Sequence, residues 1–287
     1  MKERTDILLV SRGLVPTREQ ARRLIMAGLV YSGTVVMDKP GTRIDSETPL
    51  HVRQPLHPFV SRGGLKLKKA LDTFGVSLTA KVVLDVGAST GGFTDCALQH
   101  GAAKVYSVDV GYGQLAWTLR SDERVKVMER MNFRMADPAL FDPPPDAVVM
   151  DVSFISIAKL LPNIHRILVD GGPLLTLVKP QFEAGPAAVG KGGIVRDPSV
   201  HRDVLQRVVQ HCYQEGMTPL ALTHSPIRGG EGNIEFLLYA RNTANPGGPR
   251  APEDTRELGN LGEHADPGTW SSTVDDVVRG AHGELQP

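Results

Sequence analysis

Asp85, Gly87, Ser89 and Gly91 alternate along LDVGASTGGFTD (residues 84–95), where an apolar run ends in an acid and breaks into glycines. Such a turn lets backbone approach a ligand that a side chain would block. Its spacing fits neither phosphate motif. Ser89 stands where G-x-G-x-x-G needs its second glycine, and no lysine follows as a P-loop requires. The turn therefore suits a nucleotide-type site but matches neither phosphate fingerprint, and its spacing alone leaves the ligand open. Asp109, 24 residues after Asp85, ends the next strand-like run, where a carboxylate can accept from both hydroxyls of a ribose. Asn132 and Phe133, in RMNFR, fall where an adenine ring would lie. Asp151 and Lys179 close two further strand-like runs, at the carboxyl edge where open α/β sheets bind ligands. Glu235 interrupts the apolar NIEFLLYA, where a carboxylate is costly unless paired, and Lys66 lies in SRGGLKLKKAL. Taken singly, each of these four reads equally as a helix cap, a surface charge or an edge-strand acid facing water.

The elements that must hold these residues alternate from residue 59 to 241. Strand-like runs are KVVLDVG (81–87), KVYSVDVG (104–111), VKVME (125–129), DAVVMDV (146–152) and PLLTLV (173–178), with helical stretches between them. This alternation predicts a parallel sheet with right-handed crossovers. SVHRDVLQRVVQHCYQEG (199–216) reads as a helix. MTPLALTH and NIEFLLYA, joined by RGGEG, read as an antiparallel pair at the sheet edge. GPAAVGKGGIVRDP (185–198) reads either as a lid or as a passive loop.

Residues 4–53 form a separate small module. RTDILLVSRGL reads as a helix closed by Gly13. PTREQARRLIMAG carries a Thr17–Gln20 capping box and ends at Gly28, and LVYSGTVV reads as a hairpin around Ser32–Gly33. Arg18 and Arg22 share a helix face, and with Arg23, Lys39 and Arg43 they make a surface that reads either as a seat for RNA backbone or as an ordinary solvated face. HVRQPLHP, with two prolines, reads as a linker, placed at 54–58.

The net charge is zero in 287 residues, yet residues 1–80 carry 13 Lys+Arg against 7 Asp+Glu, and residues 242–287 carry 3 against 8. A basic head on a neutral body suits a polyanionic partner. Hydrophobic residues make up 41%, enough for a sizeable core. The two cysteines, Cys96 and Cys212, lack metal-site spacing, which favours a reducing compartment, and no metal is expected. The first residues, MKERTDILLV, lack the apolar core of a secretion signal, and no run approaches a membrane span. A cytoplasmic protein without a membrane partner is expected.

Asp85-x-Gly87-x-Ser89-x-Gly91 resembles the D-x-G-x-[GS]-x-G turn of class I methyltransferases, which implies S-adenosylmethionine, an adenosine without a pyrophosphate, as the cofactor. TREQARRLI, AGLVYSG and KPGTRI resemble the S4 RNA-binding fold. FVSRGGLKL, DVSFISI, LVKPQFE and GNIEFLLY are similar, in order, to the Lys-Asp-Lys-Glu tetrad of the FtsJ-like ribose 2′-O-methyltransferases. With DVGYGQLAW, residues 4–241 resemble the TlyA family, which carries both hemolysin and ribosomal RNA 2′-O-methyltransferase names. The resemblance implies a Rossmann-like class I methyltransferase sheet with an antiparallel edge pair, preceded by a small α+β S4-like domain. It implies Lys66, Asp151, Lys179 and Glu235 as catalytic residues, ribosomal RNA or ribosomal subunits as partner, and a cytidine ribose as target. A neutral lysine could take the hydroxyl proton and a charged one could stabilise an alkoxide; both roles stay open.

Three other functions compete. A membrane-lytic protein would need a span or a basic amphipathic helix, and neither is legible. An RNA-binding scaffold without catalysis would not need the tetrad, and a dehydrogenase would need the other glycine spacing. Residues 242–287, rich in Pro, Gly and acid, read as a disordered tail without a role. On that reading, a chain ending at Thr243 should melt and methylate like the full chain.

Overall fold

The computed structural model describes residues 2–26, 28–52, 57–243 and 270–285, and the chain divides into two compact units, residues 1–58 and 59–287.

In the first unit, β1 (Lys2–Arg4), α1 (Thr5–Ser11), α2 (Arg18–Met26), β2 (Val30–Ser32), β3 (Val35–Val36), β4 (Arg43–Asp45) and β5 (His51–Val52) enclose a core of Leu9, Val15, Ala21, Ile25, Val30 and Met37. Thr17 Oγ1 accepts from Gln20 N at 3.2 Å and caps α2. β2 pairs antiparallel with both β3 and β5. His51 and Val52 are thus strand residues of the small module, ahead of the linker placed at 54–58; residues 53–56 lie outside the described residues. Asp6 is fully buried and bonded by Arg4 at 2.9 Å and Arg18 at 3.0 Å. The Arg4 hydrogen bond, aided by Arg18, holds its carboxyl below the usual carboxylate range. Arg18 therefore braces this unit as well as facing solvent, while Arg22, Lys39 and Arg43 are exposed. Of Arg23, the backbone alone, within α2, is described.

The second unit runs α3 (Gly63–Phe74), β6 (Val82–Val86), α4 (Gly92–Gln99), β7 (Lys104–Val108), α5 (Trp117–Arg120), β8 (Val125–Met128), β9 (Ala147–Met150), α6 (Leu161–Ile167), β10 (Pro173–Val178), α7 (Pro180–Glu183), α8 (Pro198–Gln214), β11 (Met217–His224), β12 (Phe236–Asn242) and α9 (Trp270–Glu284). Its seven strands are ordered β11-β12-β10-β9-β6-β7-β8. β10, β9, β6, β7 and β8 are parallel, and β12 runs antiparallel between β10 and β11. β11 alone is the outer strand on that side, because β12 inserts beside β10. Parallel strands covered on both faces read as continuous apolar runs, as VVLDV and PLLTLV do.

The tail is partly ordered. The expectation of disorder for 244–269 lies outside the described residues, but Trp270–Glu284 forms a helix that packs on the core. Trp270, Val274, Val278 and Ala281 make one buried stripe against the cluster that includes Val204, Val208 and Met217. Trp270 Nε1 donates to Tyr213 Oη at 3.2 Å, and Arg202 bonds Asp275. A helix that buries Trp and Val side chains contributes a few kcal/mol, since each is worth about 1.5–3 kcal/mol when fully buried. The neutral-truncation expectation therefore falls. A chain ending at Thr243 should melt roughly 5–10 °C below the full chain, at about 2–4 °C per kcal/mol for this size. Calorimetry giving equal melting temperatures would show that α9 contributes no stability.

Candidate active site

The glycine turn links β6 to α4. Gly87 has φ +86°, and a Cβ there would sit 2.5 Å from the Asp151 carbonyl oxygen, so this crossing of two loops requires glycine. Ser89 takes a left-handed φ of +48°, its N–H donating to Asp109 Oδ2 at 2.8 Å. Gly111 N donates to Asp109 Oδ1 at 2.7 Å. Two backbone donors thus fix this carboxylate, and each oxygen keeps a lone pair for a further hydroxyl.

A cavity of about 360 Å³ opens here, lined by Gly87, Ser89, Asp109, Asn132, Phe133 and Asp151 among others. Sequence reasoning missed much of its wall: Gly111, Gln114, Met131, Leu160 and the segment Val152–Ile155. Gln114 stands in DVGYGQLAW, and Ser89 Oγ donates to its Oε1 at 3.2 Å. The wall includes two carboxylates and neither Lys nor Arg. That charge pattern rejects a pyrophosphate and suits an adenosine joined to a cationic sulfonium.

Asp85 and Gly91 do not line this cavity. Asp85 is fully buried beneath the turn, accepting from Thr94 Oγ1 at 2.7 Å, and burial pushes its carboxyl up to about 7. Gly91 leads the chain into α4 against Leu115 and Leu119. Both shape the turn from behind.

The four ionisable residues converge from four elements: α3, the segments after β9 and β10, and the segment before β12. Lys66 Nζ lies 2.5 Å from Glu235 Oε2 and 3.6 Å from Asp151 Oδ2, and Lys179 Nζ lies 2.5 Å from Asp151 Oδ1. Charges therefore alternate along a row, Glu235, Lys66, Asp151, Lys179. Glu235 is 2% exposed and lies just before β12, so the edge-strand acid facing water is excluded. A buried lysine with two carboxylates beside it remains charged at lower cost than one with none. Lys179 also donates to Ser153 Oγ at 3.0 Å, a partner in DVSFISI that sequence reasoning did not single out. Nearby, half-buried Glu183 accepts from Ser156 Oγ at 2.7 Å and Ile157 N at 2.8 Å, tying α7 to the segment after Asp151. Burial raises its carboxyl above the usual range.

This row borders a second cavity, of about 300 Å³, lined by Lys66, Lys179, Arg62, Arg228, Asp151 and Ser153 among others. The two cavities share Gly87, Ser89, Asp151 and Ser153. One is predominantly apolar with acids, the other basic, and they meet at Asp151. No residue of the 185–198 segment lines either cavity; Asn233 Oδ1 accepts from Val195 N at 2.9 Å and pins it.

Known proteins resemble this chain along most of its length. The FtsJ-like methyltransferase model matches residues 59–242, and the S4 domain model matches residues 3–49. Bacillus subtilis YqxC, named as an rRNA methyltransferase, is 58% identical over 239 residues, covering 83% of this chain and 85% of that one. The Mycobacterium tuberculosis 16S/23S rRNA (cytidine-2′-O)-methyltransferase TlyA is 42% identical over 241 residues, covering 84% and 90%. A solved Streptococcus thermophilus structure, titled a hemolysin, is 45% identical with a TM-score of 0.70, covering 99% of this chain and 97% of that one. The chain belongs to the FtsJ-like methyltransferase family and carries an S4 domain ahead of its catalytic domain.

Proposed function

We propose that the chain is a cytoplasmic ribosomal RNA methyltransferase that moves a methyl group from S-adenosylmethionine to a ribose 2′-hydroxyl, the target being a cytidine. The observation that carries this reading is the meeting of an acidic, largely apolar cavity and a basic one at Asp151. The first suits a sulfonium-bearing adenosine, the second a ribose within a polyanion. The rRNA methyltransferase names of the relatives support the substrate class.

When bound, S-adenosylmethionine supplies a methyl group on a cationic sulfur, open to in-line displacement. Asp109, fixed by Ser89 and Gly111 N–H groups, would accept from the ribose hydroxyls of the donor. Asn132 and Phe133 would border its adenine, and Gly87 gives backbone access. Asp85 and Gly91 support the turn from behind and would keep Ser89 and Gly87 in place. On the acceptor side most of the work is alignment of a hydroxyl behind the methyl group. Lys179, held as an ammonium by Asp151 and Ser153, would first release its own proton to solvent and then, as the neutral amine, draw the proton from that hydroxyl. Lys66, clamped between Glu235 and Asp151, offsets their negative charge and would stabilise the developing alkoxide. Arg18, Arg22, Arg23, Lys39 and Arg43 would hold RNA backbone. Among the described residues no helix is long and apolar enough to cross a membrane.

Incubation with labelled donor and ribosomal subunits, followed by mapping of the methylated nucleotide, tests the assignment; label on protein or base alone contradicts it. Lys179→Ala should slow single-turnover transfer by about 10²–10⁴-fold with donor and RNA affinity unchanged. Lys179→Arg keeps the charge but cannot release its proton, so it should rescue little. Substantial rescue would reassign Lys179 to charge stabilisation. For the basic head, Arg18 is a poor probe because it braces Asp6. Replacing Arg22, Lys39 and Arg43 together by Ala should weaken RNA binding and flatten its log–log salt slope by roughly 2–3, about 0.7–0.9 per lost phosphate contact. An unchanged slope would remove this face from the RNA interface.

A further inference from the structure

The last turn of α9 reaches two glycine-rich loops that flank Glu235. Loop 228–232 lies against the carboxylate itself: a Cβ on Gly229 would sit 2.5 Å from Glu235 Oε1. Arg228 spans this loop, Nη1 donating to the Gly232 carbonyl at 2.7 Å and Nη2 to the Leu285 carbonyl just past α9. Loop 190–195 is joined to the first through Asn233, fully buried, which accepts from Val195 N and donates to the Gly193 carbonyl, each at 2.9 Å. The Val195 carbonyl in turn accepts from His201 Nε2 at 3.2 Å. A carbonyl can only accept, so a neutral His201 carries its proton on Nε2. Its Nδ1 then accepts from His282 Nε2, 3.0 Å away on α9. Burial pushes the His201 imidazole down to about 4, which keeps this chain of neutral rings intact near neutral pH. His201 also packs edge-on against Phe236, the residue after Glu235, with ring centroids 5.4 Å apart. His224 completes the grip, 3.4 Å from Glu284.

We propose that α9 is a working part of the active site: His282 and the Leu285 carbonyl hold loops 190–195 and 228–232, and thereby keep Glu235 on Lys66. His282 and Arg228 are positioning residues, since they act through His201 and through the Gly232 and Leu285 carbonyls. The inference rests on the proposed methyl transfer for its kinetic consequence, but its structural consequence stands alone.

Full-length His282→Ala and His282→Gln separate these. The donor cavity has no wall residue from either loop, so donor affinity should stay within about twofold in both variants. In His282→Ala the single-turnover rate at saturating RNA should fall by roughly 10- to 100-fold, the scale of a small misplacement of catalytic groups. Amide exchange in 190–195 and 228–235 should speed up alongside. Glutamine at 282 can still donate to His201 Nδ1 and should restore both. Wild-type rate and exchange in His282→Ala overturns the proposal, as does a loss that glutamine does not restore. Should His282→Ala fail to fold, Arg228→Ala, which removes the donors to both carbonyls, must show faster exchange in 228–235, and wild-type protection there overturns it. If the unaltered protein methylates no RNA, the functional reading fails, while the exchange measurements still decide this one.

Discussion

The buried contact between Lys66 and Glu235 is the constraint on which the catalytic domain depends. An ammonium and a carboxylate removed from water gain stability only if each has a partner in good geometry; otherwise desolvation exceeds the attraction. Glu235 supplies one partner at 2.5 Å and Asp151 a second at 3.6 Å, so α3, the segment after β9 and the approach to β12 must meet at one place. Lys179 extends the row from β10. The sheet order brings β9, β10 and β12 side by side, so their ends can carry charges of alternating sign within hydrogen-bonding reach.

Division of charge between the two cavities follows from the same row. Asp151 faces both, and it is neutralised from the basic side by two lysines. The donor side is left with Asp109 and no cation, as a ligand that brings its own positive charge requires. Gly87 makes the shared wall thin: only a residue without a Cβ fits against the Asp151 carbonyl.

Much of this was legible in the sequence because strand ends and turns are local features. The apolar runs predicted β6 to β12, and the carboxyl ends of two of them placed Asp151 and Lys179 at the ligand edge, while Lys66 and Glu235 were implied as their partners by the family resemblance alone. What was not legible depended on distant packing. Ser153 gains meaning only when Lys179 arrives from another strand, and Gln114 only when the turn at Ser89 reaches it. From its own stretch Glu235 read equally as a paired acid or as an edge acid facing water, and only the insertion of β12 beside β10 separates the two. Asp85 looked like a ligand contact, but the strand's pleat turns it inward onto Thr94. α9 was hidden because its stripe of Trp270, Val274, Val278 and Ala281 is short, diluted by Gly280 and Gly283, and preceded by a long Pro- and Gly-rich stretch. Arg18 looked like pure RNA-binding surface, and Asp6, twelve residues earlier, gave no local sign of pairing with it.

Coupling across the charge row is the central claim, and a double-mutant cycle between its two ends tests it most directly. Single-turnover methyl transfer to ribosomal subunits would be measured for Glu235→Ala, Lys179→Ala and the double variant, with donor and RNA saturating. If the row acts as one unit, the double variant should lose little more than the worse single variant, as residues that act together do. Losses that multiply, as for independent sites, would contradict the account.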